Sequence, residues 1–240
     1  MADALRVTVR HYYDFGADRL VVGSDLIDPA AWDRLRTSTR GVFSIPTTRD
    51  ELARLAEEQP EIAARARAID AWFEEQSACV VASYGVGGAS LEWWLHQLRP
   101  SRKFVVTEYG QETVRRLIAL LPDVRVCYHD LRLHEPLEAD VHLFHRIDTE
   151  LSNREWREVF GRFRSAEILV VAAKVLDARR LVIELVNRPR MRLRRASSAG
   201  LLRYHTHVAR RLRMHDLDAW ALAPREPDLA HRSAAGKVAR

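Results

Sequence analysis

The chain has 240 residues, a hydrophobic content of 47% and a formal net charge of +5. This length and composition are typical of one α/β domain with a small appendage, and they exclude a wholly disordered chain. No stretch approaches the roughly 20 apolar residues that span a bilayer, and the first residues lack the layout of a secretory signal. We therefore expect a cytoplasmic protein that does not act at a membrane.

Residues 1–76 are predicted to form a mainly helical N-terminal segment. The run from Thr48 to Glu51 is a capping box that opens a helix, and Pro60 ends that helix. Apolar residues then recur at helical spacing up to about residue 76: Ile62, Ala66, Ile69, Trp72 and Phe73. The only earlier regular pattern is a short alternating strand over residues 5–9. We expect the apolar face of the helices to dock on the domain that follows.

Strands and helices alternate over residues 77–224. The predicted strands are 78–84, 103–108, 124–128, 140–145 and 167–173, and the predicted helices are 88–98, 111–121 and one beginning at the capping box of Ser152. Because the strands are nearly continuous apolar runs, the pattern predicts a Rossmann-like, mostly parallel sheet with helices on both faces. A further helix is predicted over 198–212, with one or two closing strands after residue 214. Residues 225–240 have the composition of a flexible tail.

A glycine-rich turn follows the first predicted strand of this domain. It has the sequence Ser83-Tyr84-Gly85-Val86-Gly87-Gly88-Ala89. A glycine turn lets the backbone approach a ligand where any Cβ would collide. The next strand ends in Glu108, whose carboxylate can accept hydrogen bonds from both hydroxyls of a ribose. Together these two features predict a site for an adenosine-bearing cofactor at the carboxyl edge of the sheet.

Over roughly residues 75–222 these motifs resemble the class I, Rossmann-like S-adenosylmethionine-dependent methyltransferases. The first motif of that family is an acid, one residue and then G-x-G-x-G; Gly85 and Gly87 match it, whereas Ala89 replaces the third glycine. The resemblance implies S-adenosylmethionine as the cofactor, with Glu108 on the ribose and Asp130 near the adenine amino group. The residues that it places around the cofactor are Ser83, Tyr84, Gly85, Gly87, Glu108, Tyr109, Asp130, Leu131 and His145.

Ser83 stands where the family has its motif acid, which commonly helps to hold the amino acid end of the cofactor. A hydroxyl can donate or accept a hydrogen bond, but it cannot pair with an ammonium charge. Either the affinity for the cofactor is lower in this chain, or another acid compensates.

The resemblance also implies the chemistry, because methyl transfer from a sulfonium is an in-line displacement. The protein supplies alignment, desolvation and, where the acceptor needs it, a base. His145 and Asp148 are the candidate catalytic residues, since His145 ends the fourth strand of the domain and Asp148 follows shortly after it. Each has a structural alternative: His145 as a packed histidine without a proton role, and Asp148 as an acid favoured by the dipole of the following helix. We expect no metal, because His142 and His145 point to opposite faces of a strand.

The acceptor is predicted to be a small molecule. An arginine-rich stretch within 174–212, a candidate substrate-binding insertion, favours an anionic one, and a nucleic-acid acceptor is the second alternative. The oligomeric state cannot be predicted from the sequence. Two other functions stay open: an NAD(P)-dependent oxidoreductase, whose fingerprint requires glycine where this chain has Ser90, and a degenerate, non-catalytic nucleotide-binding protein, which Ser83 and Ala89 suggest.

Overall fold

The computed structural model of the chain describes residues 8–9, 11–14, 19–22, 29–37, 44–147, 151, 153–172, 193–194, 207–214 and 217–225. The strands are β1 (Thr8–Val9), β2 (His11–Asp14), β3 (Arg19–Val22), β4 (Val80–Tyr84), β5 (Lys103–Glu108), β6 (Arg125–Tyr128), β7 (Val141–His145), β8 (Glu167–Ala172), β9 (Leu193–Arg194), β10 (His207–Met214) and β11 (Leu217–Pro224). The helices are α1 (Pro29–Arg36), α2 (Arg49–Glu57), α3 (Pro60–Glu75), α4 (Ser90–Leu98), α5 (Gln111–Leu120) and α6 (Asn153–Arg162).

Seven of the strands form one sheet in the order β10-β11-β8-β7-β4-β5-β6. Strands β4 to β8 are parallel to one another, and β11 runs antiparallel to both of its neighbours. The order changes direction at β4, because the chain first adds β5 and β6 on one side and then β7 and β8 on the other. In open α/β sheets a ligand binds at such a switch point, outside the carboxyl ends of the strands. The predicted Rossmann-like α/β fold is confirmed.

The sheet is covered on both faces, as the apolar strands predict. One face packs against α6 through buried aromatic side chains, among them Phe144, Trp156, Phe160 and Phe163. The other packs against α3 and α4 through residues such as Phe73, Leu91 and Leu95. Helices α2 and α5 complete this second layer around Leu52 and Leu117.

Helices α2 and α3 of the N-terminal segment lie where the sequence predicts them, whereas α1 was not predicted. The Thr48 side chain accepts a hydrogen bond from the Glu51 amide at 3.1 Å, which confirms the cap of α2. Pro60 both follows the end of α2 and begins α3, where its missing N–H costs nothing. The short hairpin of β2 and β3 was not predicted. The segment docks on the domain, because Trp94 of α4 donates from Nε1 to the carbonyl of Ala56 at 3.0 Å.

The helix predicted over 198–212 is wrong for its last six residues. Residues 207–214 instead form β10, which pairs along its whole length with β11. Arginine is a good helix former, and this stretch contains three arginines, so intrinsic propensity favoured the helix. The pairing with β11 is a tertiary interaction that overrides that propensity. Most of the predicted insertion at 174–212, and all but the first residue of the tail at 225–240, lie outside the described residues.

None of the helices that the structure describes is long and apolar enough to cross a membrane.

Candidate cofactor site at the switch point

The glycine turn after β4 has a backbone that only glycine adopts without strain. Gly85 and Gly87 have φ angles of +63° and +62°. A Cβ on Gly85 would lie 2.8 Å from Cγ2 of Ile147, so the packing of Ile147, two residues after β7, also requires glycine here. The amides of Gly85 and Val86 both donate to the carbonyl of Thr107, at 3.0 and 3.4 Å. The turn is therefore fixed to β5 and β7 at once.

Ala89, which replaces the third glycine of the motif, keeps the shape of the turn. It adopts a left-handed conformation with φ of +59° and directly precedes α4. A left-handed alanine costs roughly 1 kcal/mol relative to glycine. Its methyl group is buried in the core cluster with Leu52 and Leu117, and this burial offsets part of the cost. The substitution does not by itself distort the site.

Glu108, the last residue of β5, is buried beneath the turn. Its Oε1 accepts a hydrogen bond from the Gly87 amide at 2.9 Å, and its Oε2 accepts from the Tyr109 amide at 3.2 Å. Each carboxylate oxygen has two lone pairs, so Glu108 can accept further hydrogen bonds from a pair of ribose hydroxyls. The geometry thus fits an adenosine-bearing cofactor whose ribose binds Glu108 and lies close to the backbone of the glycine turn.

Asp130 follows β6 and is paired with an arginine of its own loop. The Arg132 guanidinium donates to both carboxylate oxygens, at 2.8 Å from Nε and 2.6 Å from Nη2. Burial alone would raise the pKa of Asp130, but the hydrogen bonds from Arg132 outweigh it and lower that pKa. Asp130 is therefore ionised at neutral pH. An adenine amino group would share this carboxylate with Arg132, an arrangement that the sequence did not suggest.

Tyr109 connects the Asp130 loop with the N-terminal segment. Its ring stacks on Trp32 of α1, with centroids 6.0 Å apart, and Arg132 lies over the ring at 5.4 Å. Arg36, one turn further along α1, packs on Trp32 at 4.3 Å. The Arg36 guanidinium also lies 3.0 Å from where a Cβ on Gly87 would be. Helix α1 therefore forms one wall of the site, between the glycine turn and the β5–α5 loop.

Helix α1 is held in this position by an unusual cap. The carboxylate of Asp33 accepts hydrogen bonds from the amides of Glu112 and Thr113, at 3.0 and 2.9 Å, and from the Thr113 hydroxyl at 2.7 Å. Gly110, the N-cap residue of α5, has no side chain to make these bonds. A Cβ on Gly110 would collide with the Asp33 carboxylate, so glycine leaves room for a cap that comes from another helix.

Ser83 is the penultimate residue of β4 and is fully buried. Its hydroxyl donates to Oε1 of Glu92 at 2.7 Å, and Glu92 is itself 2% exposed in the first turn of α4. Burial, with a smaller contribution from the nearby carboxylate of Glu108, raises the pKa of Glu92 to about 7. The sequence analysis missed Glu92. The available signal was an acid three residues after the turn, at the start of an otherwise apolar helix.

Tyr84 points away from the site, into the core on the α6 side of the sheet. Its hydroxyl contacts Nδ1 of His142 at 2.9 Å, and its ring lies edge-on to His129, with centroids 5.1 Å apart. Burial lowers the pKa of both histidines to about 4, so both rings are neutral at physiological pH. Only the backbone of Tyr84 remains to border a cofactor.

The carboxyl end of β7 completes the site. His145 is half-buried there, and Arg146 adopts a left-handed φ of +57°, which turns the chain so that Ile147 packs against Gly85. Asp148 lies outside the described residues. Leu131 is buried in the core, and its carbonyl accepts a hydrogen bond from Arg162. Among the described residues, no three His, Cys, Asp or Glu side chains are grouped so that they could hold a metal ion.

Eight of the predicted site residues lie along one edge of the sheet. Those that the structure places at the carboxyl ends of β4 to β7 are Ser83, Gly85, Gly87, Glu108, Tyr109, Asp130, Leu131 and His145. One direct hydrogen bond joins Gly87 to Glu108. The prediction did not include Trp32, Arg36, Glu92 or Arg132, all of which border this edge.

The sheet order matches the Rossmann-like fold of solved S-adenosylmethionine-dependent methyltransferases. Human N-acetylserotonin methyltransferase, solved in complex with SAM, matches with a TM-score of 0.55 at 16% identity and covers 73% of this chain and 55% of its own. Mitomycin 7-O-methyltransferase matches with a TM-score of 0.54 at 16% identity, covering 72% of this chain and 60% of its own.

An O-methyltransferase family protein from Burkholderia thailandensis matches with a TM-score of 0.54 at 15% identity, and covers 86% of this chain and 63% of its own. The chain therefore spans less than two thirds of the length of each of these proteins. No protein-family model matches the chain, and no curated protein sequence matches it significantly. At these identities the likeness establishes the fold.

Proposed function

We propose that the protein is an S-adenosylmethionine-dependent methyltransferase that acts on a small-molecule acceptor. The observation that carries the proposal is the bond between the Gly87 amide and the buried Glu108 carboxylate, at 2.9 Å. This hydrogen bond links the glycine turn, where a ligand can approach the backbone closely, to an acid that is suited to bind a ribose. Both lie at the switch point of the sheet. The fold shared with solved methyltransferases supports the same assignment.

In this proposal each part of the site has a distinct role in binding. Glu108 accepts hydrogen bonds from the ribose hydroxyls, and the positive-φ turn at Gly85 and Gly87 admits the cofactor close to the backbone. Tyr109 and the Asp130 carboxylate border the adenine. The walls formed by α1 and by the β6 loop exclude water from one side of the nucleoside.

The bound cofactor would supply an activated methyl group on a sulfonium, and the chain's own residues would then align and desolvate the reactants. His145 is the residue we propose as the base, because it ends β7 at the same edge as the glycine turn. Asp148 remains a second candidate from the sequence. A base contributes typically 10²–10⁴-fold to such a step where the acceptor must lose a proton.

The names of the solved neighbours favour a hydroxyl group as the acceptor. Mitomycin 7-O-methyltransferase and the Burkholderia protein are both named as O-methyltransferases. We therefore propose oxygen on a small organic molecule as the methyl acceptor in this chain. The arginine-rich stretch within 174–212 is the basis for proposing that this molecule carries negative charge.

Replacement of Glu108 by alanine tests the proposal. Glu108→Ala removes two charge-assisted hydrogen bonds to the ribose, each about 1.5 kcal/mol or more, so we expect S-adenosylmethionine to bind at least about 100-fold more weakly. The measurement is isothermal titration calorimetry, with thermal unfolding as a check that the variant folds. Glu112→Ala is the matched control, because Glu112 is an exposed glutamate four residues further on.

Unchanged affinity in Glu108→Ala would contradict the assignment of the ribose to Glu108. Equal weakening in Glu112→Ala would show that the loss is not specific to the site.

A further inference from the structure

Glu92 has one carboxylate oxygen with a partner and one without. Oε1 accepts the hydrogen bond from the Ser83 hydroxyl, whereas Oε2 is buried and has no hydrogen-bond partner among the described residues. A buried carboxylate oxygen without a partner is costly, and folded proteins seldom retain one without a reason. When the carboxylate is ionised, this oxygen needs a hydrogen-bond donor, and a cationic donor both satisfies it best and favours the ionised form.

Glu92 lies beside the glycine turn of the candidate cofactor site. Glu92 lies in the first turn of α4, three residues after the end of the glycine turn, and its side chain meets Ser83 at the end of β4. It is close enough to Glu108 for the two carboxylates to interact electrostatically. Two acids therefore lie near the same turn, and both oxygens of Glu108 already accept a hydrogen bond from a backbone amide.

The cofactor of the proposed function carries a matching donor. S-adenosylmethionine has an α-ammonium group on its amino acid end and a ribose with two hydroxyls, which are separate partners for two acids. We propose that Glu92 binds the α-ammonium group of the cofactor and takes the role that an acid at position 83 would otherwise have. This inference rests on the proposed function.

Ser83 then acts as a positioning residue. Its hydroxyl donates to Oε1 and leaves Oε2 available, and a small side chain at position 83 makes room for the longer glutamate that comes from α4. An acid at position 83 would instead place two carboxylates against each other. The serine and the glutamate are therefore explained as a pair.

A purely structural role for Glu92 makes a different prediction. An acid in the first turn of a helix stabilises the N-terminal amides and the helix dipole, whatever ligand is bound. In that case the loss of charge would lower the stability of the protein, and it would affect ligands with and without an amino acid end alike.

Two ligands that differ in the amino acid end separate these roles. S-adenosylhomocysteine has the α-ammonium group, and 5′-methylthioadenosine lacks the amino acid end but retains the adenosine. We expect Glu92→Gln to weaken the binding of S-adenosylhomocysteine about 10- to 100-fold, as measured by calorimetry. The affinity for 5′-methylthioadenosine should stay within about twofold of that of the unaltered protein. The double variant Ser83→Asp/Glu92→Gln moves the carboxylate to β4, and we expect it to regain most of the lost affinity.

Glu112→Gln is the matched control, because it makes the same change on an exposed first-turn glutamate of α5 and should leave both affinities unchanged. Equal binding of S-adenosylhomocysteine by Glu92→Gln and the unaltered protein would overturn the inference, and so would an equal loss of both ligands. If the unaltered protein bound neither ligand, the proposed function itself would be contradicted. The retained binding of 5′-methylthioadenosine also shows that the variant is folded.

Discussion

Gly85 shows most directly how a single residue shapes the site. Its positive φ and the contact of its missing Cβ with Ile147 are two independent reasons for glycine. The first lies in the backbone of the turn and the second in the packing of the β7–α6 loop. The sequence predicts the first from the motif, but it cannot predict the second, because Ile147 is 62 positions away in the chain.

We predict that Gly85→Ala destabilises the protein by about 2 kcal/mol or more, from the left-handed backbone and the collision with Ile147 together. The measurement is unfolding by urea. Gly161→Ala is the control, because Gly161 lies in α6 with nothing within 4 Å of an added Cβ. An alanine there should stabilise the protein by about 0.5–1 kcal/mol. The same sign of change for both variants would contradict this account of the turn.

Glu108 and Glu92 mark how far the candidate site could be predicted at the level of single residues. Glu108 follows from its place at the end of an apolar strand, which is a pattern visible in sequence. Glu92 does not, because its role depends on a contact between the first turn of a helix and a strand residue nine positions earlier. Because Ser83 replaces the motif acid, the sequence indicated only that another acid could take over its role in binding the cofactor, without identifying that acid.

At the scale of elements, α1 is joined to the site by a cap that local sequence does not reveal. Asp33 satisfies amides at the start of α5 that Gly110 cannot reach, over a separation of about 80 residues. The capping box at Thr48 was predictable, since its partners are three residues apart. Long-range pairings, such as this cap and the β11–β8 ladder, depend on the fold, and the periodicity of the sequence does not reveal them.

We predict that Asp33→Ala lowers the free energy of unfolding by about 1–2 kcal/mol, the usual cost of losing an N-cap. Asp123→Ala is the comparison variant, because Asp123 forms an exposed ion pair with Arg49 and should change the stability by less than about 0.5 kcal/mol. Both values come from chemical denaturation. An Asp33→Ala variant as stable as Asp123→Ala would show that α1 is not fixed by this contact.

At the scale of the whole molecule, buried titratable groups determine how stability depends on pH. The pKa of about 4 for His129 and His142 lies below the unfolded value, so each adds stability that is complete above about pH 6.5 and lost as the pH falls towards 4. The pKa of Glu92, about 7, lies above its unfolded value, and its burial therefore costs more stability as the pH rises from 4.5 to 7.

When the pH is lowered from 7 to 5, each of the two histidines should decrease the free energy of unfolding by about 2 kcal/mol, and Glu92 should increase it by about 2 kcal/mol. We predict a net loss of about 2 kcal/mol for the unaltered protein, and about 4 kcal/mol for Glu92→Gln, which lacks the offset. His142→Gln should lose almost nothing. Urea unfolding at the two pH values measures all three, and identical pH dependence in the unaltered protein and Glu92→Gln would contradict the burial of an ionisable Glu92.

The fold as a whole was predictable because its signals are strong and local. The parallel strands are continuous apolar runs, and the helices between them have a clear apolar face, so their order and type follow from the sequence. These signals do not predict which ligand binds at the carboxyl edge of the sheet, because that depends on which side chains meet there. The binding of S-adenosylmethionine at this edge is consequently the central claim to test.

Calorimetric titration of the unaltered protein with S-adenosylmethionine, and in parallel with NADH, tests that claim most directly. Both ligands contain an adenosine, so both could use Glu108, but only one has an α-ammonium group for Glu92. We predict micromolar binding of S-adenosylmethionine and no binding of NADH. No heat with S-adenosylmethionine, or binding of NADH in its place, would contradict the methyltransferase assignment.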